Sequence, residues 1–108
     1  MNIISDKSLE LNSLIKQSIE YRNYVNARNA IRSNEQLFNS LMEFKQRYTD
    51  IMQYTEGNPY DELYRIYHEN DDLIHNSTVN EYLRAESAFS KLIRQVIADV
   101  SKDISIDT

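Results

Sequence analysis

Apolar residues recur every three or four positions along most of this chain, which is the period of an α-helix with a covered side. Leu11, Leu14, Ile15, Ile19 and Val25 form the first such stripe, with Ser18 and Arg22 falling inside it. Tyr24, Ala27 and Ile31 lie on another side of the same run, so the first helix reads as apolar on two faces. A surface helix with one neighbour needs a single apolar face. Two faces predict a helix gripped from both sides, the second side by another subunit. Ser5 or Asp6 can cap its free N–H groups, giving a helix over about 6–32. Ser33 with Gln36 three residues later matches a capping box and predicts a second helix over about 35–56. Its stripe is Leu37, Leu41, Phe44, Tyr48 and Ile51, widened by Phe38, Met42 and Met52. Glu43 and Arg47 stand four apart in the favourable order for a pair.

The only glycine and the only proline sit together at Gly57-Asn58-Pro59. Glycine ends a helix by adopting a left-handed conformation, and proline suits the first turn of the next. A third helix over about 59–75 follows, with Tyr60, Leu63, Tyr64, Tyr67 and Ile74 as an aromatic-rich face and Asp61 and Arg65 one turn apart. Thr78 with Glu81 is a second capping box. It opens a helix over about 78–102, striped by Tyr82, Ala85, Phe89, Leu92, Ile93, Val96, Ile97 and Val100. The residues from Lys102 to Thr108 are expected to fray. No strand pattern or repeat interrupts this series. The expectation is an all-α single domain over 1–108. It is a bundle of about four helices, two long and two shorter, dimerising through helix faces.

Composition narrows the function classes. Net charge is −5 and the pI about 4.9, which opposes sequence-independent nucleic-acid binding and anionic membrane surfaces. With no cysteine there is no disulfide, thiolate nucleophile or thiolate metal ligand. No apolar run approaches the ~20 residues of a membrane span. The start, Met1-Asn2-Ile3-Ile4-Ser5-Asp6, turns polar at once, without a leader pattern. The expected location is the cytoplasm, without membrane insertion.

Chemistry has few candidates. His68, Asp72 and His75 share one helix side, and Asp72 with His75 has the carboxylate-x-x-His spacing of bundle di-metal sites. Those sites need two such motifs and two further inward carboxylates, and here there is one motif with Asp in place of Glu. A hydrated helix face is the simpler account, and no metal or other cofactor is expected. Tyr60, Tyr64 and Tyr67 suit a core or subunit interface, where the ring is buried and the hydroxyl stays wet. The competing use is a base-stacking platform, which Arg65 and His68 support and the flanking Asp61, Glu62, Glu69, Asp71 and Asp72 oppose. Arg22, Arg28 and Arg32, with Arg84, Lys91 and Arg94, would form one basic strip if the first and last helices lay side by side. The serines lack a glycine-rich elbow, and one glycine cannot build a phosphate loop. An enzyme is not expected.

Three segments carry a family resemblance: Leu14 to Ala27 in the first helix, Leu41-Met42-Glu43-Phe44-Lys45 in the second, and Asn80 to Phe89 opening the last. Over about residues 6–102 the chain resembles the YlbF/YmcA (Com_YlbF) family of small helical bacterial regulators, most of all its short YheA-like branch. The resemblance implies an all-helical protein that associates with itself and with other family members. It implies a cytoplasmic regulatory role in Gram-positive bacteria. The better-studied branches act in a ribonuclease-associated complex that adjusts the specificity of RNase Y, and so influence competence, sporulation and biofilm formation; they are not nucleases. Without cysteine or a C-terminal extension, this chain departs from those branches and has no thiolate for an iron–sulfur cluster. The expected function is therefore a non-enzymatic adaptor. Interface candidates are Tyr24, Ala27, Ile31, Tyr60, Tyr64, Tyr67, Phe89 and Ile93. A direct RNA-binding helical protein is the alternative, followed by a metal-binding bundle.

Overall fold

Six α-helices and no strand make up the described residues, 2–106, of the structure, a computed structural model. They are α1 (Ile3–Gln17), α2 (Ile19–Arg32), α3 (Glu35–Tyr54), α4 (Tyr60–Glu69), α5 (Asp71–Ile74) and α6 (Ser77–Ser101). The fold is all-α. The four expected helices become six because two of them are interrupted, at Ser18 and at Asn70.

Ser18 accounts for the first interruption. Its backbone is extended (φ −67°, ψ 152°), and its hydroxyl donates to the Ile15 carbonyl at 2.6 Å. The same oxygen accepts the Tyr21 N–H at 3.1 Å, so one side chain closes α1 and caps α2. The break changes the meaning of the two apolar faces. Leu11 and Ile15 belong to the half-covered side of α1, whereas Tyr24, Ala27 and Ile31 belong to that of α2. Each helix has one face, and the expectation of a single doubly gripped helix over 6–32 is corrected accordingly.

Asparagine, rather than the expected Ser5 or Asp6, Ser33 and Thr78, caps α1, α3 and α6. Asn2 accepts the Ile4 N–H at 2.8 Å, so α1 begins three residues before the expected start. Asn34 accepts the Leu37 N–H and Asn76 the Val79 N–H, both at 3.1 Å. Ser33 instead donates its hydroxyl back to the Ala30 carbonyl. At Asn70 the side chain and the backbone N–H both donate to the Ile66 carbonyl, at 2.7 and 3.1 Å. That doubly used carbonyl ends α4 and leaves α5 a single short turn.

The α3–α4 connection is built on Gly57, which has φ +77°. The Thr55 hydroxyl donates to Glu62 Oε2 at 2.9 Å, and Asn58 Oδ1 accepts the Tyr60 N–H at 3.0 Å. A Cβ added at Gly57 meets nothing within 4 Å, so only the left-handed backbone resists a side chain. Gly57→Ala is therefore expected to lower stability by about 1 kcal/mol in urea unfolding, and Gly57→Asn by less. An alanine variant with an unchanged midpoint would contradict the left-handed geometry.

The chain divides into two compact units. Unit 2, residues 27–82, holds every described buried side chain: Ile31, Leu41, Ile66, Leu73, Val79 and Tyr82. Within it Arg47 reaches across from α3 to Glu69 of α4 at 3.1 Å, in place of the expected Glu43 pairing. Lys45 lies over the Tyr82 ring at 5.4 Å. Unit 1, residues 1–26 with 83–108, has no buried residue among those described. α6 ends at Ser101; of the tail expected to fray, residues 107–108 lie outside the described residues, as does Met1.

Candidate functional site

Two surfaces offer recognition chemistry, one on each unit. On unit 1 the α2 and α6 segments meet through aromatic rings. Tyr24 stacks on Phe89 with centroids 5.4 Å apart and planes at 26°, and Tyr21 meets the same ring at 5.2 Å and 60°. These three rings, with Ile93 and Val96, are half-buried. Farther along α6 the stripe continues without cover: Ile97 is 61% and Val100 62% exposed, on the same side of the helix as Ile93. On α1, Ile3 and Leu14 fall within about 20° of one another on the helix circumference. Leu14 is 63% exposed and Ile3 more so. Unit 1 is thus a set of amphipathic helices whose apolar stripes extend past their own packing. Hydrophobic stabilisation scales with the apolar area removed from water, and here much of that area is still wet.

On unit 2 the surface is aromatic. α4 turns Ile66 and Leu73 of the following α5 into the core, while Tyr60, Tyr64 and Tyr67 stay exposed on an adjoining face. Phe44 meets Tyr67 edge-on at 5.4 Å, and Tyr48 meets it at 6.5 Å with planes near perpendicular. Tyr64 stacks on His68 at 6.1 Å. Between Tyr48, Tyr60, Leu63, Tyr64 and Tyr67 lies an open hollow of about 410 Å³.

A family model described as control of competence regulator ComK, YlbF/YmcA matches residues 4–105. The chain belongs to the YlbF/YmcA family. No curated protein and no solved structure gives a match. The family is regulatory, which fixes the broad class of this chain. Among the described residues no helix is long and apolar enough to cross a membrane.

The residues singled out from the YlbF/YmcA-family sequence fall in different settings. Tyr24, Phe89 and Ile93 lie in unit 1 and are half-buried there. Ala27 is half-buried in unit 2, where Ile31 is at 0% exposure in the core, so its side chain is already fully used. Tyr60, Tyr64 and Tyr67 are together on the aromatic face. His68 and Asp72 border an open polar depression of about 690 Å³, also lined by Asn34, Ser40 and Asn76. His75 is not among its lining residues; its Nδ1 lies 2.8 Å from the Asp71 carbonyl and 3.3 Å from Asp71 Oδ1. Among the described residues no three His, Asp or Glu side chains are arranged to hold a metal ion. Of the basic groups, Arg22, Arg84, Lys91 and Arg94 belong to unit 1, whereas Arg28 and Arg32 belong to unit 2, where Arg32 lies over the Phe38 ring at 5.6 Å.

Three residues that matter went unremarked in the sequence: Ile66, Leu73 and Val79, all core. Ile66 follows the Tyr64-Arg65 pair, and the face that the tyrosines mark lies about a third of a turn away from the buried one. The available signal was the apolar residue at the i+3 position from Leu63, which is half-buried beside it.

Proposed function

We propose that this YlbF/YmcA-family chain is a non-enzymatic, cytoplasmic adaptor that works by protein–protein association through its helix faces. The observation that carries the reading is the uncovered apolar stripe of unit 1, at Leu14 of α1 and Ile97 and Val100 of α6. Helix-in-groove recognition needs apolar anchors at helical spacing, and these residues supply them. The first partner is a second copy of the chain, giving a homodimer. The same kind of face then serves other family members in a ribonuclease-associated complex, through which RNase Y-dependent RNA processing, and with it competence, sporulation and biofilm formation, is adjusted. Family membership supports the regulatory class, and the lack of cysteine in these 108 residues supports a YheA-like member, since they offer no thiolate for a cluster.

The test is made in the native host at native expression. Tagged chain is expected to recover other family members or ribonuclease-associated proteins, and deletion of the gene to change the processing of specific transcripts. Unchanged transcript processing would remove the ribonuclease part of the proposal. Recovery of the chain alone would remove the adaptor part.

A further inference from the structure

We propose that the tyrosine face of α3 and α4 is a docking groove for a basic segment of a partner protein, one that presents Lys or Arg side chains to the tyrosine rings. This rests on the adaptor reading and gives its partner a chemistry.

The first observation is the state of the rings. Tyr60 is 66% and Tyr64 64% exposed, and Tyr67 is 41% exposed, on a helix that already has its core contact through Ile66. Tyr67 is fixed edge-on by Phe44 and Tyr48, and Tyr64 by its stack on His68. The hollow of about 410 Å³ among them is walled in part by rings that already have neighbours, which lowers the cost of ordering those rings on binding. Tyrosine offers a large contact area at low entropic cost, which is why it is enriched where proteins bind one another.

The second observation is charge. Residues 48–72, which supply nearly the whole face, carry seven carboxylates against the single Arg65, a net −6 with histidine neutral. The chain as a whole carries −5, so everything outside this stretch sums to +1. Of these carboxylates, Glu69, Asp71 and Asp72 line the polar depression, and Glu69 is paired with Arg47, so the carboxylates nearest the tyrosines in sequence are Asp61 and Glu62. A second hollow of about 570 Å³ brings Asp50, Glu56 and Glu62 around Tyr54, and Glu62 lies in sequence between Tyr60 and Tyr64. Rings with an electron-rich face, flanked in sequence by the carboxylates of Asp61 and Glu62, favour a guanidinium or ammonium group on both counts. The described cation–ring contacts of unit 2 lie elsewhere, at Arg32 on Phe38 and Lys45 on Tyr82. The same carboxylates repel phosphate, which disfavours the face as an RNA platform.

The test uses the full chain and two fluorescein-labelled peptides with identical apolar residues, one with Lys and Arg at its polar positions and one with Glu. Anisotropy is expected to show binding of the basic peptide and none of the acidic one, weakening about tenfold or more as salt is raised. Tyr60→Ser with Tyr64→Ser should weaken the basic peptide about tenfold or more, and Asp61→Asn with Glu62→Gln should act in the same direction. All four positions are exposed, so circular dichroism should be unchanged. Three results overturn the proposal: equal binding of the acidic peptide, absence of binding by either peptide, or full basic-peptide binding by the tyrosine variant. If the tyrosine variant instead turns a sedimenting dimer into a monomer, the occupant is a second copy and the proposal is again wrong. Any of these leaves the adaptor reading to stand or fall on its own tests in the host.

Discussion

Leu41→Ala is expected to destabilise the protein by about 2–5 kcal/mol, the range for a buried leucine whose removal leaves a cavity. Leu41 is 1% exposed at the middle of α3, in the unit that holds all the described buried side chains. That core has only Ile31, Ile66, Leu73, Val79 and Tyr82 besides. A protein of this size has roughly 5–15 kcal/mol of stability in total, so one such loss removes a large share of it. In thermal unfolding followed by circular dichroism the midpoint should fall by on the order of 10 °C or more. Leu9→Ala makes the same chemical change on α1 where the side chain is 65% exposed, and should move stability by no more than about 0.5 kcal/mol. Ile66→Ala should resemble Leu41→Ala, although Ile66 stands in a run of tyrosines that look more important. Equal midpoints for the Leu41 and Leu9 variants would mean that the core does not lie where burial places it.

The contrast between Leu41 and Ile66 shows what could be read along the chain and what could not. Leu41 lies in a clean stripe with Leu37 and Phe44, and its helix and its burial follow from spacing alone. Ile66 has the right spacing too, but Tyr60, Tyr64 and Tyr67 make a second pattern on the same helix. Spacing does not say which of two adjoining faces turns inward. Packing decides that, through α3 and the break at Asn70. Helix starts were legible to within a few residues, but not their chemistry. Asn34, one residue after the expected Ser33, and Asn76, two before the expected Thr78, take the capping role because a carboxamide oxygen in either place reaches the N–H three residues on. Ser18 was visible as a polar residue inside an apolar stripe. Its double role follows only from its extended backbone, which periodicity does not encode. As for the candidate surface, the tyrosines were legible as a group, whereas the exposure of Leu14, Ile97 and Val100 depends on where the stripes outrun their packing.

That exposure gives the strongest test of self-association. Leu14→Glu combined with Ile97→Glu is expected to weaken dimerisation by about 100-fold or more, read by sedimentation across micromolar concentrations. Each substitution would bring a carboxylate into an apolar contact where nothing compensates its lost hydration. Both side chains are more than 60% exposed within one chain, so the monomer should keep its helical content and its melting behaviour at low concentration. Leu14→Ala with Ile97→Ala removes apolar area without adding charge and should weaken association by less. Tyr64→Ser lies on the other unit and should leave it unchanged. If the wild-type chain sediments as a monomer throughout, the homodimer is wrong, and the stripe must be covered by a different protein. If the double glutamate variant dimerises as the wild type does, the dimer exists but uses another face. The first outcome transfers the stripe to a heterologous partner, which the recovery experiment in the host would then have to find bound to wild type and absent from the variant.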